Sequence, residues 1–533
     1  MSSIQPSVIL HNGVIHTLNK HLPRAESLAV YQDRILALGS DDEIKRLAGP
    51  NTDVINLNDR TVLPGLTDAH IHLEQYAFAQ ERINAEVPSM NSCLEKVRQA
   101  VRQTEPGRWI LGHGWNQNEW DRYGNTSDLD QVAPENPVYL TAKSLHAGWA
   151  NSEALIRAGI TTASPDPPGG HIQRDASGVP TGILFETAME IMSEAVPEPS
   201  LDETINAIRK VQNKLWRYGI TGLHDFDRSR CFQALQMLHK EHELGLRVIK
   251  NIPLDDIDHV INLGLRTGFG DDWIRVGNVK IFADGALGPR TAAMMEPYES
   301  ELDNLGMEFY ERDQLLKIFT RAGDGGLALS VHAIGDQAVH DVLAVFGELR
   351  QYESDKGLEY LPHRIEHLQL CHPDDLPHLV KHDIIASMQP IHATSDMDIA
   401  NRYWGARVKH SYAWRTVLDA GATLAFGSDA PVESANPFWG LHAAITRQRR
   451  DGSPDKNGWI PSERLNLHEA LLAYTHGPAK VARMSMITGQ FVEGYMADLI
   501  VLDKDPYECP PEVIGELLPA GTMVGGKWRF REF

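Results

Sequence analysis

Cysteine is scarce: Cys93, Cys231, Cys371 and Cys509 are the only four in 533 residues, far apart and never in a C-x-x-C pair. That excludes a disulfide framework and a cysteine-type zinc site, and the thiols read as reduced and mostly buried. Basic charge is also short, with 50 Lys and Arg against 72 Asp and Glu and a formal net charge of −22. Such a surface repels polyanions, which argues against nucleic acid or an anionic membrane as the partner and for a small-molecule substrate. No run of about 18 apolar residues occurs, so no spanning helix is expected. The opening MSSIQPSVILHNGVIHTLN lacks a basic segment followed by an apolar stretch and a small-residue cleavage site, so it does not read as a signal peptide. A cytoplasmic location is expected. The glycine-rich spots GDGG at 323–326 and VGGKW at 524–528 lack the spacing that cradles phosphates and read as turns.

What is present is an ordinary globular composition, 42% hydrophobic and 23% charged, in a chain long enough for two or three substructures. Residues 7–60 alternate apolar and polar positions between turn residues, with His11-Asn12-Gly13 as a hairpin turn, and QFVEGYMADLIVLD and GTMVGGKWRFRE read the same way near the other end. Residues 1–60 and 485–533 are therefore expected to form one small, split β-sandwich domain. Between them, over 61–484, β-rich runs alternate with helix-like stretches: VLPGLTDAHIHL, ITGLHDF, RVIKNI, VGNVKIFAD, LALSVHAIG, HRIEHLQL, DIIASMQP and ATLAFGSDA. Eight strands alternating with helices are the count of an α/β fold of the TIM type, a (β/α)8 barrel. About 145 residues separate the first run from the second where one unit needs roughly 30, so a large insertion is expected after strand one, at about 75–215.

In such a barrel the chemistry sits where the strands finish. His70 and His72 stand two apart in LPGLTDAHIHL, and residues i and i+2 of a strand share a face, so both imidazoles could meet at one point. The pair alone proves little, since about one H-x-H is expected by chance in this composition. The other strand ends supply Lys280 in VKIFADGALG, His332 in LSVHAIGD, His367 in RIEHLQL and Asp429 in AFGSDAP. Imidazole and carboxylate together suit a borderline divalent metal such as zinc, with Fe, Mn and Co as tolerated alternatives. The lysine is the odd member, because an ammonium group repels a metal.

PGLTDAHIH, NVKIFADGALG, HAIGDQAV, RIEHLQL, FGSDAPV and GYMADLIVLD together resemble the metal-dependent amidohydrolase superfamily, in the branch of YtcJ-like proteins and N-substituted formamide deformylases. The resemblance implies that Lys280 is carboxylated by CO₂ to a carbamate bridging two metals, expected to be two zinc ions per chain. It places His70, His72 and Asp429 on one metal and His332 and His367 on the other. It further implies a metal-dependent hydrolase of a non-peptide C–N bond, in an amide, N-formyl or carbamoyl-like small molecule, with a metal-activated hydroxide and Asp429 as catalytic proton shuttle. A deaminase or ester hydrolase of the same superfamily is the alternative, and a non-catalytic binding or assembly relative the more distant one. Asp284 and Arg290 flank the lysine segment and, with Trp115 and His146 of the insertion, are the candidates for contacting substrate; the rival for the tryptophans is that they fill the core of the insertion. A homodimer is the expected assembly.

Overall fold

The computed structural model describes residues 4–116, 120, 122–142, 147–299 and 301–533. Eight parallel strands follow one another around a single sheet: β1 (Leu66–Ile71), β2 (Ile220–Asp225), β3 (Arg247–Pro253), β4 (Ile274–Phe282), β5 (Leu329–Ala333), β6 (Arg364–His367), β7 (Ile385–Met388) and β8 (Leu424–Phe426). These are the eight runs read from the sequence, and strand order equals chain order, as a barrel of βα units requires. The sheet closes where β8 meets β1, through a bridge between Ile71 and Ala430 and backbone bonds from the Asp429 N–H to the His70 carbonyl (2.7 Å) and from the His72 N–H to the Ala430 carbonyl (2.9 Å).

The helices form because their apolar residues recur at helical spacing. Asp336–Lys356, which follows β5, buries Val339, Val342, Leu343, Phe346 and Leu349, a stripe at i, i+3, i+4, i+7 and i+10 that packs on the barrel. The helix stops at Gly357, whose φ of 64° is the left-handed conformation that closes helix ends. Strand β6, by contrast, is buried on both faces, as parallel strands covered by helices are.

The run VLPGLTDAHIHL divides at Gly65. Thr61–Pro64 pairs antiparallel with Leu499–Leu502, in a six-stranded sheet that also holds Pro519–Val524, Lys527–Arg531, Val14–His16 and Arg24–Ala25; Leu66–Ile71 enters the barrel. Gly65 permits this switch because a Cβ there would meet the Thr221 side chain at 2.3 Å. A second sheet, of four strands, holds Val8–His11, Ser27–Tyr31, Arg34–Gly39 and Asp53–Asn56, and shares one core with the first through Leu10, Leu28, Val30, Val62, Leu499 and Met523. The turn at His11-Asn12-Gly13 is not a hairpin. Val8–His11 and Val14–His16 lie in different sheets, because Asn12 (φ 55°) takes the chain around a corner that the Asp41 carboxylate holds by accepting the Asn12 N–H at 2.9 Å.

Residues 78–203 form a compact unit of their own around a six-stranded sheet, in the order Gly170–Arg174, Pro180–Glu186, Ala147–Ala150, Val138–Ala142, Ile110–Trp115, Ile83–Asn84. All four cysteines are free, three of them buried. Among the described residues no helix is long and apolar enough to cross a membrane.

A buried ion pair joins the barrel to the terminal strands. Arg247 of β3 donates from Nε to Asp498 Oδ2 (2.5 Å) and from Nη2 to Oδ1 (3.0 Å), both side chains being buried, and its guanidinium lies over Trp273 at 4.8 Å. Removing one partner leaves the other charge buried and unpaired. Asp498→Ala is expected to lower stability by about 3–5 kcal/mol, read by urea unfolding, with no loss of the metal-binding residues described next.

Candidate metal centre

His70 is the last but one residue of β1 and His72 the first beyond it, so both leave the strand at its carboxyl end. Each is oriented by its Nδ1. The His70 ring bonds Glu366 Oε2 at 2.7 Å, and the His72 ring bonds Asp227 Oδ1 at 3.2 Å. With Nδ1–H donated to a carboxylate, Nε2 is left as the free lone pair. Both Nε2 atoms face Asp429 Oδ1, at 3.5 Å from His70 and 3.7 Å from His72. Behind them Glu366 lies beside Arg364, whose Nε is 2.7 Å from Oε1, so the buried carboxylate is matched by a buried cation.

A second group forms on the other side of Asp429. His367, at the end of β6, bonds Gln389 Oε1 through Nδ1 at 2.9 Å. His392, in the first turn of the helix Pro390–Trp404 that follows β7, brings Nε2 to 3.7 Å from Asp429 Oδ2. Ligand atoms of His70, His72 and Asp429 lie within 4.8 Å of one another, and so do those of His367, His392 and Asp429. His332, at β5, stands outside both groups. It bonds the Gly285 carbonyl through Nε2 at 2.9 Å and leaves Nδ1 as a buried nitrogen without a partner, its ring 4.6 Å from that of His367.

Lys280 projects from β4 into the middle of this set. Its Nζ is 3.5 Å from His70 Nε2 and lies over Phe226 (4.6 Å) and Phe282 (4.8 Å). It makes no ion pair among the described residues; Glu366 is engaged by His70 and Arg364, and Asp284 by backbone N–H groups. Burial pulls the amine down to about 8, against the opposing pull of Glu366 and Asp429. Burial, followed by the charge of Lys280, also holds His70 well below its ordinary value and His332 down at about 3. His72 differs: burial lowers it, yet the hydrogen bond and charge of Asp227 outweigh that and raise it.

Of the four substrate-contact candidates read from the sequence, three have described placements outside the two ligand groups. Asp284 accepts the backbone N–H groups of Ala293 (2.9 Å), Ile334 (3.0 Å) and Gly335 (2.8 Å), so its carboxylate organises the loop after β4, with Oδ1 3.6 Å from His332 Nε2. Arg290 pairs with Glu301 at 2.6 Å and lies over Tyr403. Trp115 is fully buried, bonds the Leu140 carbonyl through its indole N–H at 2.7 Å and packs on Trp120 and Trp149, which makes it interior filling of the 78–203 unit. His146 lies outside the described residues. Conversely, strand-end reasoning passes over Asp227, which lies two residues beyond β2, and His392, which lies on a helix.

The donor set fits a divalent metal: five histidines and a carboxylate, three of the imidazoles already oriented through one nitrogen, and two buried nitrogens, His332 Nδ1 and His392 Nε2, with no hydrogen-bond partner among the described residues. The amidohydrolase family model matches residues 53–530. The chain belongs to the amidohydrolase family. It is 31% identical to the Bacillus subtilis amidohydrolase YtcJ over 97% of this chain and 98% of that protein. It is 28% identical to the N-substituted formamide deformylase of Arthrobacter pascens over 98% of each. A crystal structure of a metal-dependent hydrolase from Pyrococcus furiosus matches with a TM-score of 0.79 and 28% identity, covering 94% of this chain and 100% of that one. As an amidohydrolase, the chain is a metal-dependent hydrolase of the class that cleaves carbon–nitrogen bonds.

Asp227→Asn keeps the shape of the residue that holds His72 but weakens the charge that orients it. A drop of about 10- to 100-fold in metal affinity is expected, measured by competition with a chelator of known affinity.

Proposed function

We propose that this amidohydrolase hydrolyses the C–N bond of a small N-acyl or N-formyl amine, with two metals held by His70, His72 and Asp429 on one side and His332 and His367 on the other, bridged by a carbamate on Lys280. One observation carries the reading: a buried lysine, with no ion pair among the described residues, stands among five histidines and an aspartate. A lysine there is incompatible with a cation as an ammonium and compatible with one as a carbamate, whose two oxygens are negative ligands. Carbamate formation joins the amine nitrogen to the carbon of CO₂ and releases one proton, and it requires the uncharged amine. Burial of Lys280 supplies that form close to neutral pH.

When bound, the metals supply Lewis acidity, which polarises a carbonyl and makes water acidic enough to attack near neutral pH. The rest is done by the chain. Asp429, with one oxygen toward His70 and His72 and the other toward His392, is placed to take a proton from the attacking water and return it to the leaving nitrogen. Water adds to the carbonyl carbon, the C–N bond breaks, and the products are a carboxylic acid and an amine. The N-formyl and N-acyl classes draw support from the similarity to a formamide deformylase.

The deciding experiment is metal content per chain of wild type and Lys280→Ala, followed by a screen of N-acyl and N-formyl amines. About two metals in wild type, falling to one or none in the variant, with partial rescue of activity by a small carboxylic acid, is the expected result. Two metals and full activity in Lys280→Ala would sink the carbamate. Reactivation of stripped protein by bicarbonate and metal is expected to quicken as pH rises through about 8, because the amine is protonated and unreactive below that value and free above it. Asp429→Asn is expected to retain much of the metal while losing roughly 10² to 10⁴ in kcat; equal losses of metal and rate would make Asp429 a ligand only.

A further inference from the structure

His392 is not accounted for by the ligand set above, yet it is the side chain that faces the second oxygen of Asp429. It is buried, and its Nε2 has no hydrogen-bond partner, at 3.7 Å from Asp429 Oδ2. An unpartnered ring nitrogen in the interior is costly unless something meets it there. Ligand atoms about one zinc sit roughly 3.3 Å apart when the bonds are about 2 Å long and tetrahedral, so 3.7 Å is a few tenths of an ångström from a shared ion.

The neighbours of the ring argue the same way. A ligating Nε2 must carry a lone pair, which puts the proton on Nδ1 and demands an acceptor for it. Gln369 supplies one. Its Nε2 lies 3.4 Å from His392 Nδ1, while its own Oε1 is buried and unpartnered. A half-turn of the amide exchanges the two ends within the same volume and places Oε1 on the Nδ1–H, giving the ring proton its acceptor. The adjacent histidine has that arrangement already: His367 Nδ1 faces Gln389 Oε1 at 2.9 Å. The two rings lie nearly parallel, with centroids 6.0 Å apart and 10° between planes, each backed by a glutamine.

We infer that His392 is a metal ligand, joining His332 and His367 in the second subsite beside Asp429, and that Gln369 is the positioning residue that fixes its tautomer. The inference rests on the metal-dependent reading above and adds a ligand to it. Asp429 then serves both subsites, Oδ1 on the side of His70 and His72 and Oδ2 on the side of His392.

The test compares full-length wild type, His392→Asn, His392→Cys and Gln369→Leu by metal content and by absorption of the Co²⁺-loaded proteins. In His392→Asn about one metal per chain is expected to be lost, with the remaining metal and the circular dichroism unchanged. His392→Cys is expected to gain a near-ultraviolet thiolate-to-cobalt band that wild type, with its four cysteines, lacks; a thiolate gives that band only if bonded to the metal. Gln369→Leu is expected to weaken Co²⁺ binding by about 10- to 100-fold without changing the stoichiometry at saturation. Wild-type metal content in His392→Asn, or no new band in His392→Cys, overturns the inference. Should His392→Asn not fold, the band in His392→Cys decides. A wild type holding a single metal would contradict the two-metal reading, and the same band would still settle the role of His392.

Discussion

A parallel barrel exists only if its last strand finds its first, and here the contacts that make that closure are also the contacts that build the metal centre. The Asp429 N–H reaches the His70 carbonyl and the His72 N–H reaches the Ala430 carbonyl. Below them, the buried Asp68 carboxylate accepts the His70 N–H (3.1 Å) and both the N–H (3.0 Å) and the hydroxyl (2.5 Å) of Ser428. The two strands can come this close because position 427 is glycine: a Cβ there would lie 2.4 Å from the His70 backbone nitrogen. Backbone closure and the placement of the candidate ligands are therefore one constraint, and a change that loosens the seam moves His70, His72 and Asp429 together.

The seam also explains where backbone strain resides. Asp429 has a φ of 57°, and His367 and Leu368 have φ of 72° and 44°. These are left-handed conformations that cost a side-chain-bearing residue about 1–3 kcal/mol and persist when surrounding structure over-determines them. At Asp429 the cost brings the carboxylate back over the barrel mouth, between His70 and His392, where an extended residue would continue along the strand. At Leu368 the backbone N–H is held by the Ala333 carbonyl at 3.1 Å, which ties the end of β6 to the end of β5 and keeps the His367 and His332 rings 4.6 Å apart.

The sequence made the barrel and most of the cluster legible because both obey a period. Alternating strands and helices announce the fold, and the fold says that chemistry lies at the carboxyl ends of strands, which picks out His70, His72, Lys280, His332, His367 and Asp429 without a coordinate. What was not legible follows from the same logic. His392 is two residues into a helix, at a position where a histidine carries no periodic signal, and only its three-dimensional distance to Asp429 marks it. Asp227 lies past the end of β2, and its tie to His72 spans 155 residues of sequence. In the terminal domain, alternation correctly yields strands but is silent on which sheet each joins, so the corner at Asn12 reads as a hairpin. Asp284 reads as a site residue by its neighbourhood; what the sequence does not show is that three backbone N–H groups make it the anchor of a loop beside His332.

The buried charges are arranged as a supported column. At its foot Arg364 donates to the Ala69 carbonyl (3.0 Å) and the Ser330 hydroxyl (2.6 Å) and meets Glu366; Glu366 holds His70; His70 faces Asp429 and Lys280. Beside it a second chain runs from Lys250 through Asp225 and Asp227 to His72, with Lys250 bonded to Asp225 at 2.7 Å and to the Asp227 carbonyl. Each chain begins with a permanent cation and ends on a histidine of the H-x-H pair, yet the two ends differ electrically. Burial, followed by the charge of Lys280, holds His70 low, while the hydrogen bond and charge of Asp227, with Asp429 behind them, raise His72 against its burial. Asp227 and Glu366 thus fix the orientation of the two rings through Nδ1, and of the two carboxylates Asp227 is the one that also raises the ring it holds.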